Sequence, residues 1–119
     1  MAYKSFEENL SWQKVQDLTL SVHNVFKNCN ENWFRDELME SVVNAASHIA
    51  KGHERNNNED NVKYLSLARE SLVKCKSHVF IASKLKFCKE QEANQLQDKI
   101  TDASKLIYGL MKHIKDKAA

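Results

Sequence analysis

The residues best suited to metal or redox chemistry are three cysteines and five histidines. Cys75 and His78 stand three residues apart and can share one face of a helix, while His48 and His53 flank the end of a second segment. A metal site needs three or four converging ligands, and neither pair has a further ligand at a spacing that would complete one. Cys75 falls in an apolar repeat, so we interpret it as a small core residue rather than a reactive thiol.

Motifs typical of catalysis are absent from the sequence. It contains no glycine-rich phosphate loop, no H-E-x-x-H and no C-x-x-C. Serine and threonine are common but have no marked base or orienting partner nearby. We therefore predict a protein that is not an enzyme and that has no catalytic residues, no metal and no cofactor.

The lysines of the second half are the main polar feature. The net charge is only +2, but residues 1–60 carry six Lys/Arg against ten Asp/Glu, and residues 61–119 carry twelve against six. Lys74, Lys76, Lys84, Lys86 and Lys89 cluster in that basic half. A run of charge is most often a solvated helix face, and the alternative is a surface that contacts phosphates. Both interpretations stay open at this point.

Aromatic residues near predicted helix starts form a second candidate site. Trp12, Trp33 and Phe34 either close the ends of the core or make contacts in an oligomer, where large aromatic side chains are favoured. The sequence leaves both alternatives open, and these three residues are the candidate oligomer interface.

The element pattern predicts an all-α fold in one domain, residues 1–119. There is no proline, and glycine occurs only at Gly52 and Gly109, which disfavours turn-rich architectures. Apolar residues recur at helical spacing, and we expect Gly52 to close the second helix. Short polar connections make consecutive helices antiparallel neighbours, giving an up-down-up-down four-helix bundle. The predicted helices are 8–27, 31–53, 59–87 and 89–115.

The N-terminus and the cysteine count bear on location. The first residues have no apolar segment of the kind found in signal peptides, and no apolar run is long enough to cross a membrane. Three cysteines, an odd number, are typical of a reducing compartment. We expect a cytoplasmic protein with no membrane partner.

Four segments together resemble the four-helix-bundle proteins encoded by intervening sequences of bacterial 23S ribosomal RNA genes. Residues 6–14, FEENLSWQK, are similar to the family's F-x-x-L-x-V-W-Q-K opening. Residues 48–55, HIAKGHER, are similar to N-I-A-E-G-x-x-R, and residues 64–72, YLSLARESL, to F-L-x-I-A-x-G-S-L. The tail at residues 107–114 also fits, so the resemblance spans nearly the whole chain in order.

Several positions depart from the family pattern, which makes this chain a divergent member. Ala46 stands where a proline is usual, and His48 stands where the family has asparagine. Lys51 and Lys74 replace two acidic positions, and Glu70 replaces a glycine. The two changes from acid to lysine add to the basic character of the surface.

The resemblance implies an up-down-up-down bundle that assembles as a ring, typically a homopentamer, without catalytic activity. It makes binding of RNA or DNA an expectation and places phosphate contacts on lysine and arginine. A related group acts as accessory subunits of reverse transcriptases, so a scaffold that holds a protein partner is the alternative. The candidate nucleic-acid-binding residues are Lys51, Arg55, Arg69 and Lys74, with Lys76, Lys84 and Lys86 as a second set.

Overall fold

The computed structural model describes residues 5–118 and is built from helices, with no strand in that part of the chain. A single turn of 3-10 helix at Phe6–Glu8 precedes four α-helices. The helices are α1 (Leu10–Phe26), α2 (Asn32–His53), α3 (Asn58–Lys84) and α4 (Glu90–Ala118). The prediction of four helices in an all-α protein is confirmed, with boundaries shifted by a few residues.

The starts of α1 and α3 are set by asparagine caps. The side-chain oxygen of Asn9 accepts hydrogen bonds from the backbone N–H groups of Ser11 and Trp12, so α1 begins at Leu10 rather than at the predicted residue 8. Asn57 caps α3 in the same way through the N–H of Asp60. A cap satisfies N–H groups that have no partner within the helix, which fixes where the helix can start.

One hydrophobic core runs through all four helices. Each helix packs against two others, α1 against α2 and α4, and α3 against α2 and α4. The predicted seams of α3 and α4 are confirmed, because Leu65, Leu72, Ile100 and Ile107 are all buried. Burial of such a stripe from each helix is the main source of the bundle's stability.

The C-terminus of α3 lies three residues earlier than predicted. The helix ends at Lys84, and Lys86 takes a left-handed φ of 63°. The N–H of Phe87 then donates to the carbonyl of Ala82, and that of Lys86 to the carbonyl of Ser83. This is a Schellman motif with lysine at the position where glycine is usual. It turns Phe87 back onto the core, where the centres of the Phe87 and Phe34 rings are 5.2 Å apart.

Gly52 has a different role from the predicted helix stop. It is buried within α2, which continues to His53, and its φ is not positive. A Cβ built on Gly52 would lie 2.9 Å from Cβ of Tyr64 and 2.9 Å from Oδ1 of Asn61. The residue is therefore needed for close approach of α2 and α3, and the expectation that it ends the helix is wrong.

Candidate nucleic-acid interface

The lysines in the second half of α3 lie on the surface. Lys74, Lys76 and Lys84 are exposed, as is Lys86 in the connection to α4. No aspartate or glutamate occurs between Glu70 and Glu90. This length of chain therefore presents positive charge with no acidic side chain of its own to neutralise it.

Lys51 lies in the last turn of α2, and Arg55 lies in the connection between α2 and α3. Both are exposed. Arg55 donates a hydrogen bond from Nη2 to Oη of Tyr64 at 3.0 Å, and its guanidinium carbon is 5.3 Å from the centre of that ring. The tyrosine holds the guanidinium against α3 while leaving its outer face in solvent.

Arg69 is less accessible than the sequence indicates. It is half-buried, its Nε donates to Oγ of Ser104 at 3.4 Å, and its guanidinium carbon is 5.0 Å from the centre of the Tyr108 ring. Both partners are on α4, so Arg69 joins α3 to α4. A nucleic acid would have to compete for a cation that is already engaged.

The predicted basic residues do not form one patch. Arg55 lies just before the start of α3 and Lys86 just after its end, and a helix of 27 residues is about 40 Å long. A phosphate backbone would reach both only by running along the length of the bundle. The structure thus places Lys74, Lys76, Lys84 and Lys86 in the second half of α3 and the turn after it, and leaves Lys51 and Arg55 near the start of that helix.

The three aromatic candidates have three different environments. Phe34 is buried in the core of the chain, where it meets Phe87 and the His78 ring. Trp12 is half-buried against the core and packs edge-on against Phe6, with 5.2 Å between the ring centres. Trp33 has 61% of its surface exposed, and its indole N–H donates to Oε2 of Glu31. Of the three, Trp33 therefore has the most surface free to meet a second molecule.

Cys75 and His78 both make contacts between α3 and α2. Cys75 is fully buried, and burial raises the pKa of its thiol to about 11, against a smaller lowering by its hydrogen bond with Ser41. His78 donates from Nδ1 to the carbonyl of Lys74 and has Nε2 3.5 Å from Oε2 of Glu37. Within residues 5–118 no group of three His, Cys, Asp or Glu side chains is arranged to hold a metal ion.

His48 has the most perturbed environment among the histidines. Burial and then the charge of Lys51 lower the pKa of its imidazole, while Glu70 acts in the opposite direction. Its Nδ1 is buried without a hydrogen-bond partner, and its ring lies 6.3 Å from that of Tyr64. The neutral form is therefore favoured near physiological pH, and His48 adds no cation to the basic surface.

Sequence reasoning missed an exposed apolar component of the surface. Val73 and Phe80 on α3 are 66% and 55% exposed, and Val43 on α2 is 45% exposed. Val73 and Phe80 are seven residues apart and outside the core seam of α3, which is the signal that could have identified them. Nothing in the sequence identified Tyr64 and Tyr108 as partners of arginines. Arg55 is nine residues before Tyr64, and Arg69 is on a different helix from Tyr108.

Two further observations concern the class of protein. No helix within residues 5–118 combines the length and apolarity that crossing a membrane requires. In comparisons with known proteins, the sequence model of the family described as 23S rRNA-intervening sequence protein matches residues 7–109. No curated protein matches the chain.

Proposed function

The chain belongs to the 23S rRNA-intervening sequence protein family, and on that premise we propose that it is a non-enzymatic, ring-forming bundle that binds RNA or another nucleic acid through its lysines. The proposal places it in the cytoplasm, which its three unpaired cysteines support. The partner of each copy in the ring is a second copy of the same chain, with five copies expected.

The observation that carries the proposal is the acid-free basic stretch at the end of α3. Lysines contact phosphates without regard to base sequence, and each contact adds to the affinity. Lys74 and Lys86 are exposed, whereas Arg55 and Arg69 are engaged by tyrosines. The expected ligand is therefore a polyanion recognised by charge rather than by sequence.

Assembly into a ring is the second part of the proposal. A single copy has a net charge of only +2, which is a weak basis for binding. Several copies present the same lysines repeatedly to one strand, so each further contact forms at a high effective concentration. Ring assembly thus converts a weak site into a useful one.

The up-down-up-down order of the helices also belongs to the proposal. Gln97 of α4 donates to the carbonyl of Lys76 at 3.1 Å, whereas Arg69 pairs with Ser104. The later residue of α3 thus meets the earlier residue of α4. That reversal supports an antiparallel course for this pair of helices.

A binding titration with a labelled single-stranded RNA and a duplex DNA tests the nucleic-acid proposal. We expect binding at low salt that weakens steeply as salt is raised. The double variant Lys74→Glu/Lys86→Glu should bind more weakly, with the slope of log K against log salt reduced by about 1 to 2. Lys14→Glu on α1 combined with Lys27→Glu at the residue that follows α1 makes the same charge change and serves as the control.

Two results would remove the nucleic-acid proposal. One is the absence of binding at low salt by a protein whose assembly is intact. The other is an equal loss of affinity in the α1 control, because net charge alone would then explain the effect.

A protein-binding scaffold is the second candidate function, and the exposed Trp33 and Val43 on α2 favour it. Exposed large apolar side chains in one region are typical of protein contacts. A specific protein that is recovered with the chain after nuclease treatment, and lost in Trp33→Ala, would favour this candidate over nucleic-acid binding.

A further inference from the structure

One exposed stripe of α2 combines apolar and acidic side chains. Trp33, Asp36, Glu40 and Val43 follow each other at spacings of three, four and three, so they lie on one side of the helix, and all four are exposed. We call these four residues the acidic face. Between Lys27 and Lys51 the only cationic side chain other than histidine is Arg35, whose Nε lies 3.9 Å from Oδ1 of Asp36. Four acidic side chains in the same stretch outnumber it, so this side of α2 stays negative.

A stripe of α3 has the same pattern with the opposite charge. Val73, Lys76, Phe80 and Lys84 follow at spacings of three, four and four, and all four are exposed. We call these four residues the basic face. Each face therefore carries two large apolar side chains and two charges of one sign.

The two faces lie at the same level along the bundle. Phe34, next to Trp33, meets Phe87 at the end of α3, and Glu37, next to Asp36, lies 3.5 Å from His78. Cys75, next to Lys76, is hydrogen-bonded to Ser41, next to Glu40. A rotation about an axis parallel to the helices keeps each face at its own height. It can therefore bring the acidic face of one copy opposite the basic face of another.

The two faces also point in different directions. The basic face lies on the side of α3 nearer α4, since the carbonyl of Lys76 accepts from Gln97 and Arg69 reaches Ser104. The acidic face lies on the outer side of α2, away from α4. One chain cannot pair its own two faces, but two copies can.

We propose that the acidic face of one copy packs on the basic face of the next, so that copies join head to tail. Because the two faces differ, the contact is heterologous, and repetition of one rotation closes a ring rather than a two-fold dimer. Opposite charges set the register, and the apolar side chains exclude water between them. The inference rests on the proposed ring and names the surfaces that build it.

The assignment divides the lysines between two tasks. Lys76 and Lys84 serve contact between copies, whereas Lys74 and Lys86 stay available for phosphates. The exposed lysines of α3 therefore do not form one interchangeable set.

Charge reversal with mixing tests the pairing. Asp36→Lys/Glu40→Lys places lysines on both faces, and Lys76→Glu/Lys84→Glu places acids on both. Each variant alone should give the mass of one chain, 13.8 kDa, by light scattering at micromolar concentration. An equimolar mixture of the two variants should form mixed assemblies heavier than one chain, because the two reversed faces complement each other and the two unchanged faces do so as well.

Controls separate the inference from folding defects and from the ring itself. Asp17→Lys/Asp102→Lys makes the same charge change on exposed positions of α1 and α4 and should keep the wild-type mass. Circular dichroism should show wild-type helix content in every variant, because the changed side chains are exposed.

The outcomes are distinguishable. If the wild type assembles and both face variants keep its mass, the face pairing is wrong while ring assembly stands. If the wild type itself has the mass of one chain at micromolar concentration, both ideas fail. If both variants dissociate but their mixture stays at 13.8 kDa, the two faces do not meet each other and the inference is overturned.

Discussion

Replacing each of the two glycines with alanine tests the close approach of α2 and α3 at Gly52. Both glycines lie inside helices, where alanine is favoured over glycine by about 1 kcal/mol. The same methyl group meets very different surroundings at the two positions. At Gly109 nothing lies within 4 Å of the added Cβ, whereas at Gly52 it would lie 2.9 Å from Cβ of Tyr64 and 3.2 Å from the carbonyl oxygen of Asn61.

The expected effects on the free energy of unfolding therefore differ between the two positions. Gly109→Ala should raise the free energy of unfolding by about 1 kcal/mol, because it gains helix propensity at no steric cost. Gly52→Ala gains the same propensity, but α2 must move away from α3 because the atoms it meets belong to or adjoin the backbone of α3. Overpacking of this kind costs about 1–3 kcal/mol, so Gly52→Ala should be less stable than Gly109→Ala by about that amount.

Urea unfolding followed by circular dichroism measures both values. The two variants and the wild type must be compared at one protomer concentration, because association would add to the apparent stability. The difference between the two alanine variants cancels the helix-propensity contribution and leaves the cost of the contact. An equal rise in stability for both variants would refute the close approach of α2 and α3 at Gly52.

Three further predictions concern a thiol, a core residue and a helix end. At pH 8 a thiol reagent should label Cys29 and Cys88 in the folded protein and reach Cys75 only on unfolding, since Cys75 is buried and its pKa is raised to about 11; rapid labelling of all three thiols in the native state would contradict its burial. Leu72→Ala should lower the free energy of unfolding by about 2–5 kcal/mol, because Leu72 is 1% exposed within the core, and a loss below that range in urea unfolding would argue against tight packing there. Lys86→Gly should raise the melting temperature, because glycine adopts the left-handed φ of 63° without the cost of about 1–2 kcal/mol that lysine pays, and a fall would show that the Lys86 side chain stabilises the turn.

The four helices were predictable because burial imposes a period. Leu65, Leu72, Ile100 and Ile107 recur at helical spacing, and each is buried as that spacing requires. These features depend only on neighbours in the chain.

The features that the sequence did not predict depend on contacts between distant residues. The glycine at position 52 resembled a helix stop, and only the position of Tyr64 on α3 shows that it is a contact residue. Arg69 resembled a free cation until Ser104 and Tyr108 of α4 were placed beside it. Sequence spacing gives the face of a helix on which a residue lies, but not what that face meets.

Division of the basic residues into separate regions is the main consequence for function. A sequence reading treats Lys51, Arg55 and the lysines of α3 as one set, because only their charge is visible. The structure separates them along a helix of about 40 Å. The proposed ring would repeat each region at its own level without joining the two, so assembly matters to the proposed function because it multiplies one site.

Light scattering of the unmodified chain at micromolar concentration tests ring assembly without any variant. We expect a single species several times heavier than one chain of 13.8 kDa, with a mass about five times that of one chain. A species of 13.8 kDa that persists when the concentration is raised would contradict it.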